Sequence, residues 1–204
     1  MNAPSGIAGV IAEIRADVGG CRICPSLAPH RKLPPDSFGT TRTGYVIVSE
    51  AAGFGVRPLD GAAGAVLRGA LLDVGDETYR DLEDLFFLTQ AAQCVPMRKD
   101  NPARTRTPTK TECRKCSAYL GFELRALRPR LVLAFGARAV EAVLGRQAKL
   151  AEDHATRHLL GELQVLTLLS PSPGNRSALK TRGMTLENYS RWLTGLFGAL
   201  IDDL

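Results

Sequence analysis

The sequence predicts an α/β fold: a single three-layer α/β/α domain around a central, mainly parallel four-stranded sheet. Short, continuously apolar runs alternate with amphipathic stretches of helical length, as expected for strands buried on both faces and covered by helices. Turn-forming residues separate them, clearest at Gly136 after one such run and at Gly183 before the last helix. At 204 residues and 45% hydrophobic content, the chain can bury one sizeable core and need not be divided, so residues 1–204 read as one domain.

Taken in order, the amphipathic stretch Ile7–Val18 gives a first helix and the apolar run Tyr45–Ser49 a first strand. Ala62–Val74 reads as a helix, Leu85–Thr89 as a second strand, and Lys110–Leu127 as a long helix. Leu131–Phe135 gives a third strand, turned by Gly136 into a helix over Ala137–Leu144. Leu163–Leu169 gives the fourth strand, and Thr185, followed by Leu186 and Glu187, starts a final helix to Ile201. Residues 98–110, with two prolines and several polar residues, form a flexible basic insertion.

Composition excludes some classes of function. The longest apolar runs, Leu163–Leu169 and Leu131–Phe135, fall well short of the roughly 18 residues of a membrane span, so a soluble protein is expected. Met1–Gly9 has neither a basic start nor an apolar core, which argues against a secretory leader and for reduced thiols in a cytoplasmic protein; a monomer is expected. The net charge is +5, and Arg98, Lys99, Arg104, Arg106, Lys110, Arg114 and Lys115 fall within eighteen residues. That cluster suits phosphates, hence nucleic acid, although a solvated basic loop has the same composition.

Five cysteines narrow the chemistry. They stand as Cys21-x-x-Cys24, a lone Cys94 seventy residues on, and Cys113-x-x-Cys116. From spacing alone three readings stay open: a [4Fe–4S] cluster, a four-thiolate zinc site of Cys21, Cys24, Cys113 and Cys116, and unligated core cysteines. In open α/β sheets, ligands bind beyond the carboxyl ends of the strands. After the first strand comes Ser49-Glu50-Ala51-Ala52-Gly53-Phe54-Gly55, a carboxylate followed by small residues that let backbone amides approach a ligand. After the last comes Ser170-Pro171-Ser172-Pro173-Gly174-Asn175-Arg176, rigid and hydroxyl-rich. Two such loops at one sheet edge make a cleft.

From about Cys21 to Trp192 the chain resembles the iron–sulfur uracil-DNA glycosylases of the family 4 and family 5 types. Val48-Ser49-Glu50-Ala51-Ala52-Gly53 resembles the family's Gly-Glu-x-Pro-Gly motif, and Arg57-Pro58-Leu59-Asp60-Gly61-Ala62-Ala63-Gly64 its Arg-Pro-Phe-x-Gly-x-x-Gly segment. Cys94-Val95-Pro96, Thr107-Pro108-Thr109 and Cys116 are similar to the segment bearing the third and fourth cluster ligands. Ser170-Pro171-Ser172-Pro173-Gly174-Asn175 is closest to the family 5 motif His-Pro-Ser-x-x-Asn.

The resemblance implies a DNA glycosylase that excises uracil or another deaminated base. It implies a structural [4Fe–4S] cluster on Cys21, Cys24, Cys94 and Cys116, with Cys113 spare, and catalysis by Glu50 and Ser170. It places Ser49, Ala51, Gly53, Phe54, Leu59, Gln90, Ser172, Asn175 and Arg176 against the substrate. Three positions depart from the pattern. Ser170 stands for the histidine that donates to the leaving uracil oxygen, Gln90 for the asparagine that reads the pyrimidine edge, and Leu59 for the stacking phenylalanine. Phe54 is a substitute stacking surface. A non-catalytic binder of modified bases with the same fold is the alternative, since it dispenses with the histidine.

Overall fold

The computed structural model of the chain describes residues 6–27, 39–51, 53, 59–101 and 103–204. The helices are α1 (Ile7–Gly20), α2 (Ala62–Leu72), α3 (Leu82–Leu85), α4 (Lys110–Leu127), α5 (Ala137–Leu144), α6 (Leu150–Asp153), α7 (Arg176–Lys180) and α8 (Leu186–Asp202). The strands are β1 (Tyr45–Ala51), β2 (Phe87–Ala92), β3 (Leu131–Phe135), β4 (Thr156–Leu160) and β5 (Leu163–Leu168), in the order β2-β1-β3-β5-β4. Neighbouring strands run parallel except β4, which is antiparallel to β5 at one edge. The α/β class read from the sequence holds.

Alternation along β1 sorts side chains between the two helical layers. Tyr45 sends its hydroxyl to the carbonyl of Leu200 on α8 at 3.1 Å, while Glu50, on the opposite face, reaches α5. Thr89 of β2, in register with Val48, bonds the buried Glu123 of α4. The core therefore lies on both faces of the sheet, with β3 buried along its whole length at the centre.

The sheet has five strands among the described residues, not the expected four. The additional β4 is an edge strand, with Leu159 71% exposed, so it lacks the continuous apolar run that marks a buried strand. It is closed onto β5 by a turn through Gly161 at φ +61. The second strand also lies two to three residues later than expected. Asp81 and Asp84 form a reciprocal capping box that winds Leu82–Leu85 into a helical turn, and the strand then extends into the small residues Ala91 and Ala92.

The remaining boundaries follow local signals. Thr185 accepts from the Asn188 amide at 3.1 Å and starts α8. Thr109 and Glu112 form a capping box at the start of α4, and Arg106 grips Glu112 through two bonds of 2.8 and 2.7 Å. Within the basic insertion, the Arg98 amide donates to the Arg104 carbonyl and the Arg106 amide to that of Pro96. No helix among the described residues is long and apolar enough to cross a membrane.

Leu133, fully buried at the centre of β3, carries this packing. Leu133→Ala should lower unfolding stability by about 2–5 kcal/mol, read as a fall in the urea midpoint with an unchanged slope.

Candidate active site

The carboxyl ends of β1 and β5 open onto a cavity of about 240 Å³. Ser49, Glu50 and Ala51 line it from β1, Gly53 from just past that strand, Ser170, Pro171 and Ser172 from the loop after β5, and Leu59–Gly64 from the segment entering α2. The two loops singled out in the sequence thus share one cavity.

Glu50 is held in place by the next strand-to-helix turn. Its Oε1 accepts the backbone N–H of Arg138, in the first turn of α5, at 3.1 Å. The carboxylate lies over Gly136, where an added Cβ would stand 2.6 Å from Glu50 Cδ, and Gly136 has φ +93. Only glycine fits on both counts. Burial pushes the Glu50 carboxyl above the usual range; the Arg138 amide and guanidinium oppose this, and Glu141 adds to it. The Arg138 guanidinium also bonds Glu141 and donates to the Pro108 carbonyl at 3.2 Å, linking the basic insertion to the Glu50 site. Sequence reading passed over Arg138, although its place just after a strand was a usable signal.

The opposite wall rests on a backbone contact. Leu59 adopts a left-handed conformation at φ 54, and a Cβ on Gly64 would meet its carbonyl oxygen at 1.5 Å. That carbonyl accepts from Arg68 Nη1 at 2.8 Å, and the same guanidinium bonds Asp81 and Glu83. The glycine of the Leu59–Gly64 segment is therefore required by close approach. Phe54, Arg57 and Pro58 lie outside the described residues.

Gln90 is buried in register with Ser49, on the same face of the sheet, but is not among the residues lining the cavity. Asn175 turns inward, its amide donating to the Ser170 carbonyl at 2.9 Å while its backbone N–H bonds the Ser172 carbonyl. It ties the loop together. Arg176, the first residue of α7, is exposed.

Cys116 feels the thiols of Cys94, Cys24 and Cys21, and its sulfur accepts from the Gln93 backbone N–H. Burial pushes the Cys116 thiol up to about 11. Helix α4 also fixes the Cys21–Cys24 turn, because Lys115 donates to the Ile23 carbonyl at 3.2 Å and Tyr119 bonds the Cys21 side chain. Cys113, one turn earlier, packs instead with Ala91 and Ala92, and burial pushes its thiol up to about 12. Among the described residues, no three His, Cys, Asp or Glu side chains converge on a site for one metal ion.

The sequence model of the uracil DNA glycosylase superfamily matches residues 37–194, which include all five strands, Glu50 and Ser170. The chain belongs to this superfamily. Among its relatives is a type-4 uracil-DNA glycosylase from Pyrobaculum aerophilum, 32% identical over 143 residues, 67% of this chain and 67% of that protein. Another is the type-4 uracil-DNA glycosylase of Archaeoglobus fulgidus, 28% identical over 135 residues, covering 64% of this chain and 62% of the relative. The superfamily match spans both walls of the cavity and includes Cys94, Cys113 and Cys116; Cys21 and Cys24 precede it.

A carboxyl raised by burial destabilises the fold in its ionised form. The penalty is absent below the ordinary value of 4.5, grows as pH rises through the raised folded value, and is constant above it. Glu50→Gln keeps an oxygen for the Arg138 amide but cannot ionise. It should therefore melt at a higher temperature than the parent at pH 7, with the gain shrinking as pH falls toward 4.5 in calorimetric scans.

Proposed function

We propose that the chain is a DNA glycosylase that hydrolyses the N-glycosidic bond of uracil, or of another deaminated base, in DNA, as a step of base excision repair. The observation that carries the reading is Glu50: a half-buried carboxylate in a strand-end cavity, oriented by a helix N-terminus, in a chain of the uracil DNA glycosylase superfamily. Both relatives are type-4 uracil-DNA glycosylases, which agrees with it.

The chemistry assigns each residue a task. Breaking the bond between the sugar C1′ and the base nitrogen leaves positive charge on the sugar and negative charge on the departing base. Glu50 stabilises the first and orients the water whose oxygen bonds C1′, taking up its proton. Ser170, across the cavity, donates its hydroxyl to the oxygen where the leaving-group charge accumulates. Ser49, Ala51, Gly53 and Leu59 shape the walls around a flipped base, while Gln90, beside Ser49, borders them. Flipping costs a few kcal/mol, offset by pocket contacts and by phosphate contacts of the kind Ser172 and Arg176 can make. Lys99, Arg104 and Arg114, exposed around the insertion, suit the DNA backbone.

The same reading includes a [4Fe–4S] cluster on Cys21, Cys24, Cys94 and Cys116. The interaction of Cys116 with the thiols of Cys94, Cys24 and Cys21 supports this set. A cluster there would supply covalent cross-links between the segments before β1, after β2 and within α4.

Base release from oligonucleotides containing uracil, hypoxanthine, xanthine or a mismatched base tests the activity. Glu50→Ala and Glu50→Gln should abolish release while duplex binding stays within about twofold, and Ser170→His should accelerate single-turnover release of uracil by about tenfold or more. Parental rates in both Glu50 variants would refute the assignment. Tight, selective binding of a lesion duplex without release of any base would favour a binder.

Anaerobically prepared protein should be brown and contain about four irons per chain. Cys116→Ser should bleach it, and Cys113→Ser should keep the colour. Stoichiometric zinc without iron would defeat the cluster.

A further inference from the structure

Two side chains outside every sequence motif hold the peptide groups that lead into Ser170. β5 ends at Leu168, whose carbonyl accepts from the Gly136 amide at 2.8 Å. For Leu169, just past that end, side chains take over. His154, buried at the end of α6, accepts the Leu169 N–H on Nδ1 at 3.2 Å, and Tyr189 of α8 donates its hydroxyl to the Leu169 carbonyl at 2.7 Å. The two rings pack edge to face with centroids 5.1 Å apart, and Trp192 closes on both at 5.9 Å.

The far side of the loop is tied to the same place. Arg182 donates to the Leu150 carbonyl of α6 at 3.1 Å, and Asn175 donates to the Ser170 carbonyl. The segment from Leu169 to Arg182 is thus clipped at both ends onto the short helix that His154 terminates. Accepting on Nδ1 requires a neutral imidazole. Burial, helped by Arg182, lowers the His154 value to about 4, so the acceptor is available across the neutral range.

We propose that His154 and Tyr189 are positioning residues for Ser170: by fixing both peptide groups of Leu169 they set where the Ser170 hydroxyl meets the departing base. This rests on the glycosylase reading. Serine makes the hydroxyl unusually dependent on such a clamp, since Oγ is one bond beyond Cβ and only one torsion is available to correct a displaced backbone. A donor on a longer side chain could re-aim itself. Here the backbone does the aiming.

Three variants test the clamp: His154→Phe, which keeps a ring without an acceptor, His154→Asn, which offers an amide oxygen near the Nδ1 position, and Tyr189→Phe, which removes one hydroxyl. Hydrogen exchange at the Leu169 amide, followed by NMR, reads the clamp independently of activity. His154→Phe should lose that protection and slow single-turnover uracil release by about tenfold to a hundredfold, with duplex Kd within about threefold of the parent. His154→Asn should restore protection and most of the rate. Retained protection, or lost protection with an unchanged rate, would overturn the proposal, as would rate and binding that fall together with thermal stability. If His154→Phe does not fold, Tyr189→Phe decides on the same rate and affinity criteria. If the parental protein releases no base from any duplex, the glycosylase reading falls by itself, and the exchange arm still decides whether the clamp exists.

Discussion

A carboxylate drawn partly out of water needs donors, and Glu50 is matched by the N-terminus of a helix on the neighbouring strand's connection. That pairing requires β1 and β3 to lie side by side and parallel, so that one strand's end faces the other's turn. It also requires a glycine at 136, because any side chain there would occupy the carboxylate's place. The Gly136 amide in turn bonds the Leu168 carbonyl, so the same residue fixes where β5 ends and the Ser170 loop begins. The Glu50 side of the cavity and the start of the Ser170 loop thus depend on one turn. The partial positive charge of a helix N-terminus suits the carboxylate, yet burial still raises its proton affinity.

Helix α4 organises the other half of the molecule. Its capping box and the Arg106–Glu112 pair close the basic insertion onto its first turn. Lys115 and Tyr119 then hold the Cys21–Cys24 turn, while Glu123 anchors β2 through Thr89. Cys113 and Cys116 are one turn apart and feel each other; the first packs on Ala91 and Ala92, and the second also feels the remaining thiols. Several bases of the insertion are internally engaged: Arg98 with Asp100, Arg106 with Glu112, and Lys110 with Glu141. The charge left for a polyanion is accordingly smaller than the sequence count.

The local periodicities were legible from the sequence alone. Short, mostly apolar runs gave β1, β3 and β5, the 3.6-residue pattern gave α1, α2, α4, α5 and α8, and the glycine after β3 gave the turn on which the site is built. The motif loops, with Glu50 and Ser170, were legible because strand ends are where such sheets place ligands. Edge strand β4 was not, since a strand exposed along one side buries too little to leave a continuous apolar run. The start of β2 was misplaced because Leu85-Phe86-Phe87-Leu88 is equally apolar as helix or strand, and a pair of aspartates upstream decided between them. Contacts across long separations were beyond local reading altogether: Glu50 meets an amide 88 residues away, and the Leu169 N–H meets a histidine 15 residues earlier. A residue's type announces what it can donate or accept; only the tertiary structure brings the partner to it, because that partner is set by how strands and helices stack and not by their order along the chain.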